Sequence, residues 1–422
     1  MMRAKRLLLP WRHTPKPLLA LARFIHHGSA SGRPSLPPPL VELGANWLLL
    51  PQAIAALGTV PDGPASVELL RQAMSSANGY LREAAVYRSL ASANPALLPD
   101  LARRINDWVP EVSLAAGSAM LALLERLPPS YFIAILPAVE SLGASTRHDH
   151  AAWMARFYTR YTELVSPSAL RRAAAGLDHR LARAAWRLLK NQGLLDPAAL
   201  VEASLAARDI VVAMDGARCA EKLGGSAGVS CLHRMLASAF APVRVIAAQS
   251  LLARAEPQLA LATAWACLED GDAHVRDLAI AFLRLQGIDV RQHLRQLLAE
   301  PESSAMQLRT ALLSLAALRD RRDLPVIRHF CSSRCALLRH EAYKGWMRIA
   351  SEDKDVIAEL ALHDSARRVR KLALRLVHRH GAYVPAEALA HCMVREQEQN
   401  QALPCRPLPG CVPTNPARQS MQ

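Results

Sequence analysis

The densest ligand-like cluster in the chain is His148-Asp149-His150, two imidazoles and a carboxylate of the kind a transition metal seeks. On a helix, however, successive side chains stand about 100° apart, so the two imidazoles would face nearly opposite ways and a metal would need distant partners. The plainer reading is a polar turn opening a helix. A second cluster, His329, Cys331, Cys335 and His340 in "RHFCSSRCALLRHE", could offer zinc four ligands. Structural zinc sites bring paired Cys-x2-Cys arms, and this spacing is different. Trp108 with Glu111, or Trp153 with Asp149, pairs an aromatic ring with a carboxylate, as an enzyme that extrudes a nucleic-acid base requires. Tryptophan at helical spacing is more often core. Cys405 and Cys411 sit in a Pro-rich tail and read as incidental thiols. The chain has no Gly-rich phosphate loop, no Gly-x-Ser-x-Gly and no His-Glu-x-x-His. The sequence therefore assigns no catalytic residue, cofactor or metal ligand, and a non-enzymatic role is expected.

Charge is the more informative chemistry. The formal net charge is +15, and it is concentrated in two places. Residues 1–41 hold seven Lys/Arg and no acid, residues 42–275 are balanced at 21 of each sign, and residues 276–380 hold 20 basic against 12 acidic residues. In that basic stretch Arg321, Arg322, Arg334, Arg339, Lys344, Arg367, Arg368, Lys371 and Arg375 are candidates for a positive stripe. The competing reading is a solvated face whose charges pair with Asp320, Asp323, Glu341 and Asp364.

The elements that carry these residues follow from a repeat. Aligned on a dipeptide at the helix start, ten registers emerge: Leu81-Arg82, Val112-Ser113, Thr146-Arg147, Leu181-Ala182, Ile210-Val211, Val243-Arg244, Val275-Arg276, Leu308-Arg309, Leu338-Arg339 and Val369-Arg370. They recur every 29 to 35 residues, the signature of a tandem array. From Val275, Leu278, Ala279, Phe282 and Leu283 fall on one helical face, and Val369 and Leu308 open the same pattern. A small residue recurs near the fourth position as Ala85, Ala116, Ala185, Ala247, Ala279, Ala342 and Ala373, where it lets a neighbouring helix approach. Another apolar helical stretch precedes most registers, so each unit is a helix–turn–helix of about thirty residues. One such hairpin cannot bury its apolar face, so the units must stack. Aromatics at 5% and the lack of alternating Val/Ile/Thr runs also argue for an all-α chain.

This pattern resembles the HEAT-repeat family in its short form, similar to the repeats of the PBS lyases. That form has an Asp in the inter-helix turn and Val-Arg opening the second helix six residues later. Asp107, Asp270 and Asp364 match the Asp position relative to Ser113, Arg276 and Arg370. Ser238, Ser303 and Ser333 replace Asp elsewhere, while Ser113, Ala182 and Val211 replace Arg. The resemblance implies a right-handed α-solenoid of about ten helical hairpins over residues 65–381. It also implies an Asp–Arg ladder between repeats, here patchy and strongest towards the C-terminus. A few such proteins are DNA glycosylases or lyases; most bind other proteins. The expected function is a scaffold for an extended protein partner, with nucleic acid on the basic C-terminal repeats as the alternative.

The ends differ from the array. Residues 1–39 form a basic arm and a Pro/Ser/Gly linker, in which Trp11, Arg12, Arg23 and Phe24 are candidate contacts. Within it, residues 1–27 fit an interfacial membrane helix, a transit peptide or a docking arm, and Pro10, Pro15 and Pro17 interrupt them. Residues 40–64 should hold a capping helix, 382–398 a C-terminal capping helix, and 399–422 a disordered Pro-rich tail. Eight cysteines are too few for a disulfide scaffold, and no apolar run reaches membrane-spanning length. The cytoplasm is the default compartment, with an organelle or the inner membrane surface as alternatives.

Overall fold

A polar cap followed by apolar residues on one face is the local unit from which the chain is built. The Asp272 carboxylate accepts from the His274 amide at 2.9 Å, and Val275, Ala279, Ile280 and Leu283 behind it are buried. Asn78 caps the Tyr80 and Leu81 amides in the same way, and Asp178 those of Arg180 and Leu181. Ser304 and Gln307 cap each other's backbone amides reciprocally.

The computed structural model describes residues 50–59 and 62–401. Trp11, Arg12, Arg23 and Phe24 lie outside them, as do the linker, Cys405 and Cys411. The described residues form 22 α-helices with short 3-10 turns and no strand. The chain is all-α, with its helices in sequential hairpin pairs. None of these helices is long and apolar enough to cross a membrane.

Two compact units divide between Val243 and Arg244. In the first, helix Leu50–Thr59 packs on Gly79–Ser92. Four packed pairs follow, Pro64–Met74 with Gly79–Ser92, Leu98–Arg104 with Pro110–Leu124, Pro167–Ala174 with His179–Asn191, and Pro197–Leu205 with Ile210–Leu223, while Leu136–Ser141 packs on His179–Asn191 and Ala151–Leu164 on Pro110–Leu124. Helix Gly225–Met235 closes that unit. The second unit takes most of Ala241–Arg254 and then four pairs: Pro257–Leu268 with Ala273–Leu285, Val290–Ala299 with Ala305–Ala317, Leu324–His329 with Ala336–Ile349, and Lys354–Leu362 with Arg367–His380. Ala386–Gln401 packs on Lys354–Leu362.

The small residues do what the alignment requires of them: all seven alanines from Ala85 to Ala373 have 0% exposure. Gly216 shows how tight one such contact is. A methyl group added there would lie 2.0 Å from the Ser204 hydroxyl oxygen, so Ile210–Leu223 can approach Pro197–Leu205 only through glycine.

Two of the ten registers are corrected. Thr146-Arg147 is not helical, because the inter-helix segment of that repeat is longer and its second helix begins at Ala151. Ile210 and Val211 are 37% and 47% exposed while Val212 is buried, so the core register there starts two residues later. Asp209 caps that helix directly, which removes the usual spacer between the turn aspartate and the first amide. At the termini, the helix expected within 40–64 spans Leu50–Thr59, and the one expected within 382–398 runs to Gln401.

Candidate functional site

The arginines that open the second helices are consumed internally. The Arg82 guanidinium donates from Nη1 to the Ser76 and Ala77 carbonyls, both at 2.9 Å, holding its own turn. Its other edge forks onto the Asp107 carboxylate of the next repeat at 2.9 and 2.7 Å, with both side chains almost fully buried. Arg339 repeats the arrangement with the Ser333 and Arg334 carbonyls and with Asp364. Arg244 forks onto Asp270, and Arg183, one position further along its helix, onto Asp209. The same aspartates cap the turns that hold them, through the amides of Val109, Asp272, Ala366 and Val211.

Each rung therefore links an arginine to the following repeat's aspartate, the ladder between repeats that the resemblance implies. The rungs are not strongest at the C-terminal end, since Arg82–Asp107, in the first unit, is the most buried of them. Burial alone would raise these carboxyl pKa values. The arginine hydrogen bonds, the backbone amides and the guanidinium charge outweigh it, leaving Asp107, Asp209, Asp270 and Asp364 below the usual carboxylate range. Arg276 departs from the pattern: it donates to the Asp270 carbonyl and to the Ser314 hydroxyl, and burial lowers its pKa. Ser113 takes the place of an arginine and donates to the Ile105 carbonyl at 2.5 Å.

The histidine cluster lies in the polar turn that opens a helix, as the plainer reading expects, rather than on the helix itself. His148 and His150 precede the helix, so both rings reach the same side, with centroids 5.9 Å apart. The His148 Nε2 lies 3.0 Å from the Asp107 carbonyl and that of His150 3.2 Å from the Asn106 side-chain oxygen. The Asp107 carbonyl can only accept, so the His148 Nε2 donates to it. Ser145 also donates to Asn106, and Asp149 caps the Ala151 amide. The segment thus clips onto the preceding turn beside an open cleft of about 630 Å³.

Trp153 donates to the Gly117 carbonyl at 3.0 Å and stacks on Phe157. Trp108 is 65% exposed over the Arg82 guanidinium. His340 turns towards Glu341, a buried carboxylate. Burial would raise the Glu341 pKa, but His340 and Lys344 hold it down at about 2. Among the described residues, no three His, Cys, Asp or Glu side chains are placed to hold a metal ion.

The nine residues of the candidate stripe divide. Arg321 pairs with Glu352, Arg322 with Asp320, Lys344 with Glu341 and Arg339 with its ladder aspartate. Arg334 is exposed in a turn, and Arg367 opens the helix Arg367–His380. On that helix Arg368, Lys371 and Arg375 fall on one exposed face, which Arg379 extends. Arg348 of the adjoining second helix is exposed too. Among the described residues none of these five cations has a hydrogen-bond or ion-pair partner. Lys344 and Arg348 follow ladder residue Arg339 by five and nine positions; Arg375 and Arg379 follow Arg370 by the same intervals. Leu374, 42% exposed, flanks the row. The sequence reading missed Arg348, and it did not single out Arg379 and Leu374 within the basic stretch.

No family model and no curated protein matches the chain. Solved structures similar to it include the karyopherin Kap121p bound to the extreme C-terminus of the protein phosphatase Cdc14p. That match has 16% identity and a TM-score of 0.32, and covers 94% of this chain but 49% of the karyopherin. Human deoxyhypusine hydroxylase, in complex with glycerol, is similar at 13% identity and a TM-score of 0.23, over 80% of this chain and 99% of the enzyme. An engineered protein is similar at 18% identity and a TM-score of 0.24, over 80% and 97%. The chain spans about half the length of the karyopherin.

Proposed function

We propose that this chain is a non-catalytic scaffold that binds an extended polypeptide along the exposed faces of its second helices. One observation carries the reading: the cations at the helix starts are held internally, while those nine residues later, Arg348 and Arg379, stay outward and without a partner among the described residues, at matching positions of adjacent repeats. Five residues after the helix-start arginine, Arg375 is outward too, whereas its counterpart Lys344 is held by Glu341 at 3.0 Å. Positions repeated in this way suit a ligand longer than one helix face, as stacked hairpins commonly provide. A small-molecule enzyme would instead gather convergent polar groups in an enclosed hollow.

A displayed library of random peptides, selected on the full chain and counter-selected on an Arg348→Ala/Arg375→Ala/Arg379→Ala variant, tests the proposal. Peptides that bind the native chain and lose binding to the variant are expected. Enrichment that ignores the three substitutions would place binding elsewhere and refute the role of this face.

A further inference from the structure

Resting on that reading, the occupant's chemistry can be taken further. We propose that the face formed by Arg348, Arg368, Lys371, Arg375 and Arg379 with Leu374 docks an acidic polypeptide segment carrying an aliphatic side chain. The helix Arg367–His380 has no acidic residue, and the five cations have no internal partner among the described residues. Along this helix Lys371, Arg375 and Arg379 recur every four residues, about 6 Å apart. Alternate residues of an extended peptide recur at about 6.7 Å, so successive carboxylates on one side of a strand can each meet a cation. Arg348, on the adjoining helix one helix spacing away, about 8–10 Å, widens the positive field.

Two features select a polypeptide over a nucleic acid. Leu374 puts an aliphatic side chain beside the cations, where it can cover an apolar side chain but gains nothing from a sugar–phosphate backbone. The aromatic rings of the adjoining helix, Tyr343 and Trp346, are each only 6% exposed, so that helix offers no ring on which a base could stack. Arginine at three of the four positions on the main row suits carboxylates, which it can grip with two parallel hydrogen bonds.

Fluorescence anisotropy on the full chain tests the assignment. The probe is a labelled synthetic peptide of alternating glutamates with one central leucine. Its controls are a glutamine version, a version with serine for leucine, and oligothymidylate. The acidic leucine peptide should bind and weaken with salt, and Arg375→Glu/Arg379→Glu should cost at least about tenfold in affinity while leaving the circular-dichroism melt unchanged. Leu374→Ser should weaken the leucine peptide about threefold and leave the serine version unaltered. Oligothymidylate binding as tightly as the acidic peptide, and lost in the double reversal, would overturn the assignment in favour of nucleic acid. Equal binding of the glutamine peptide would overturn the acidic partner and leave the scaffold reading standing. If no peptide of any composition bound this face, both would fall.

Discussion

Removing one side of the Arg82–Asp107 pair should cost unequal amounts depending on which side is removed. In Asp107→Leu, Arg82 keeps its two bonds to the Ser76 and Ala77 carbonyls but is left as a buried cation with no carboxylate. Arg104, which also bonds Asp107, is 26% exposed and can relax into water. The Val109 amide loses its cap. An uncompensated buried charge with a lost cap should cost about 4 kcal/mol. In Arg82→Met, Asp107 keeps Arg104 at 2.9 Å and the Val109 amide at 3.0 Å, and methionine fills much of the vacated space. That loss should be about 2 kcal/mol. The double variant removes both charges together and should fall short of the sum by about 2 kcal/mol. Stacked repeats open locally, so native-state hydrogen exchange over Gly79–Ser92 and Pro110–Leu124 is the right assay. An Arg82→Met loss equal to or above that of Asp107→Leu, or strict additivity, would refute the argument that the cation depends on its carboxylate.

The remaining predictions concern packing, register and acid. Gly216→Ala should destabilise the first unit by about 1–3 kcal/mol in thermal melts, and Ser204→Gly should recover part of the loss, because the two side chains compete for one space. Val212→Asp should be severely destabilising and Ile210→Asp nearly neutral in the same melts; the reverse order would restore the uncorrected register. The ladder carboxyls have folded pKa values below their unfolded ones. Their stabilisation is thus complete above the unfolded aspartate pKa, about 4, and disappears as pH falls through the lower folded values. Urea midpoints should therefore drop steeply on acidification below about pH 4, and less steeply in Asp270→Asn, which cannot titrate there.

Much of the fold was legible because packing writes itself into spacing. Ala279 and its six counterparts sit where two helices must nearly touch, and sequence alone marks that position. The two failed registers share a cause, since each has an irregular turn. A longer segment ahead of Ala151 and a cap without a spacer at Asp209 shift the helix start without disturbing the apolar pattern behind it. The ladder between repeats was legible at Asp107, Asp270 and Asp364, but the rung from Arg183 to Asp209 was not, because Ala182 stands at the aligned position and the arginine lies one residue further on. The outward face was legible in part, at Arg368, Lys371 and Arg375, whereas Arg348 and Arg379 lie beyond the helix-start positions on which the repeats were aligned.

The rungs also constrain how the gene for such a chain can change length. Arg82–Asp107 and Arg339–Asp364 span 25 residues, and Arg183–Asp209 and Arg244–Asp270 span 26. A one- or two-residue insertion inside such a span displaces a largely buried carboxylate from its guanidinium, at the cost of an unpaired charge. Duplication or loss of a whole hairpin between rungs of the same kind returns every arginine to an equivalent aspartate. Length variation in this chain should therefore come in whole hairpins, or in segments outside the rungs, such as the one ahead of Ala151.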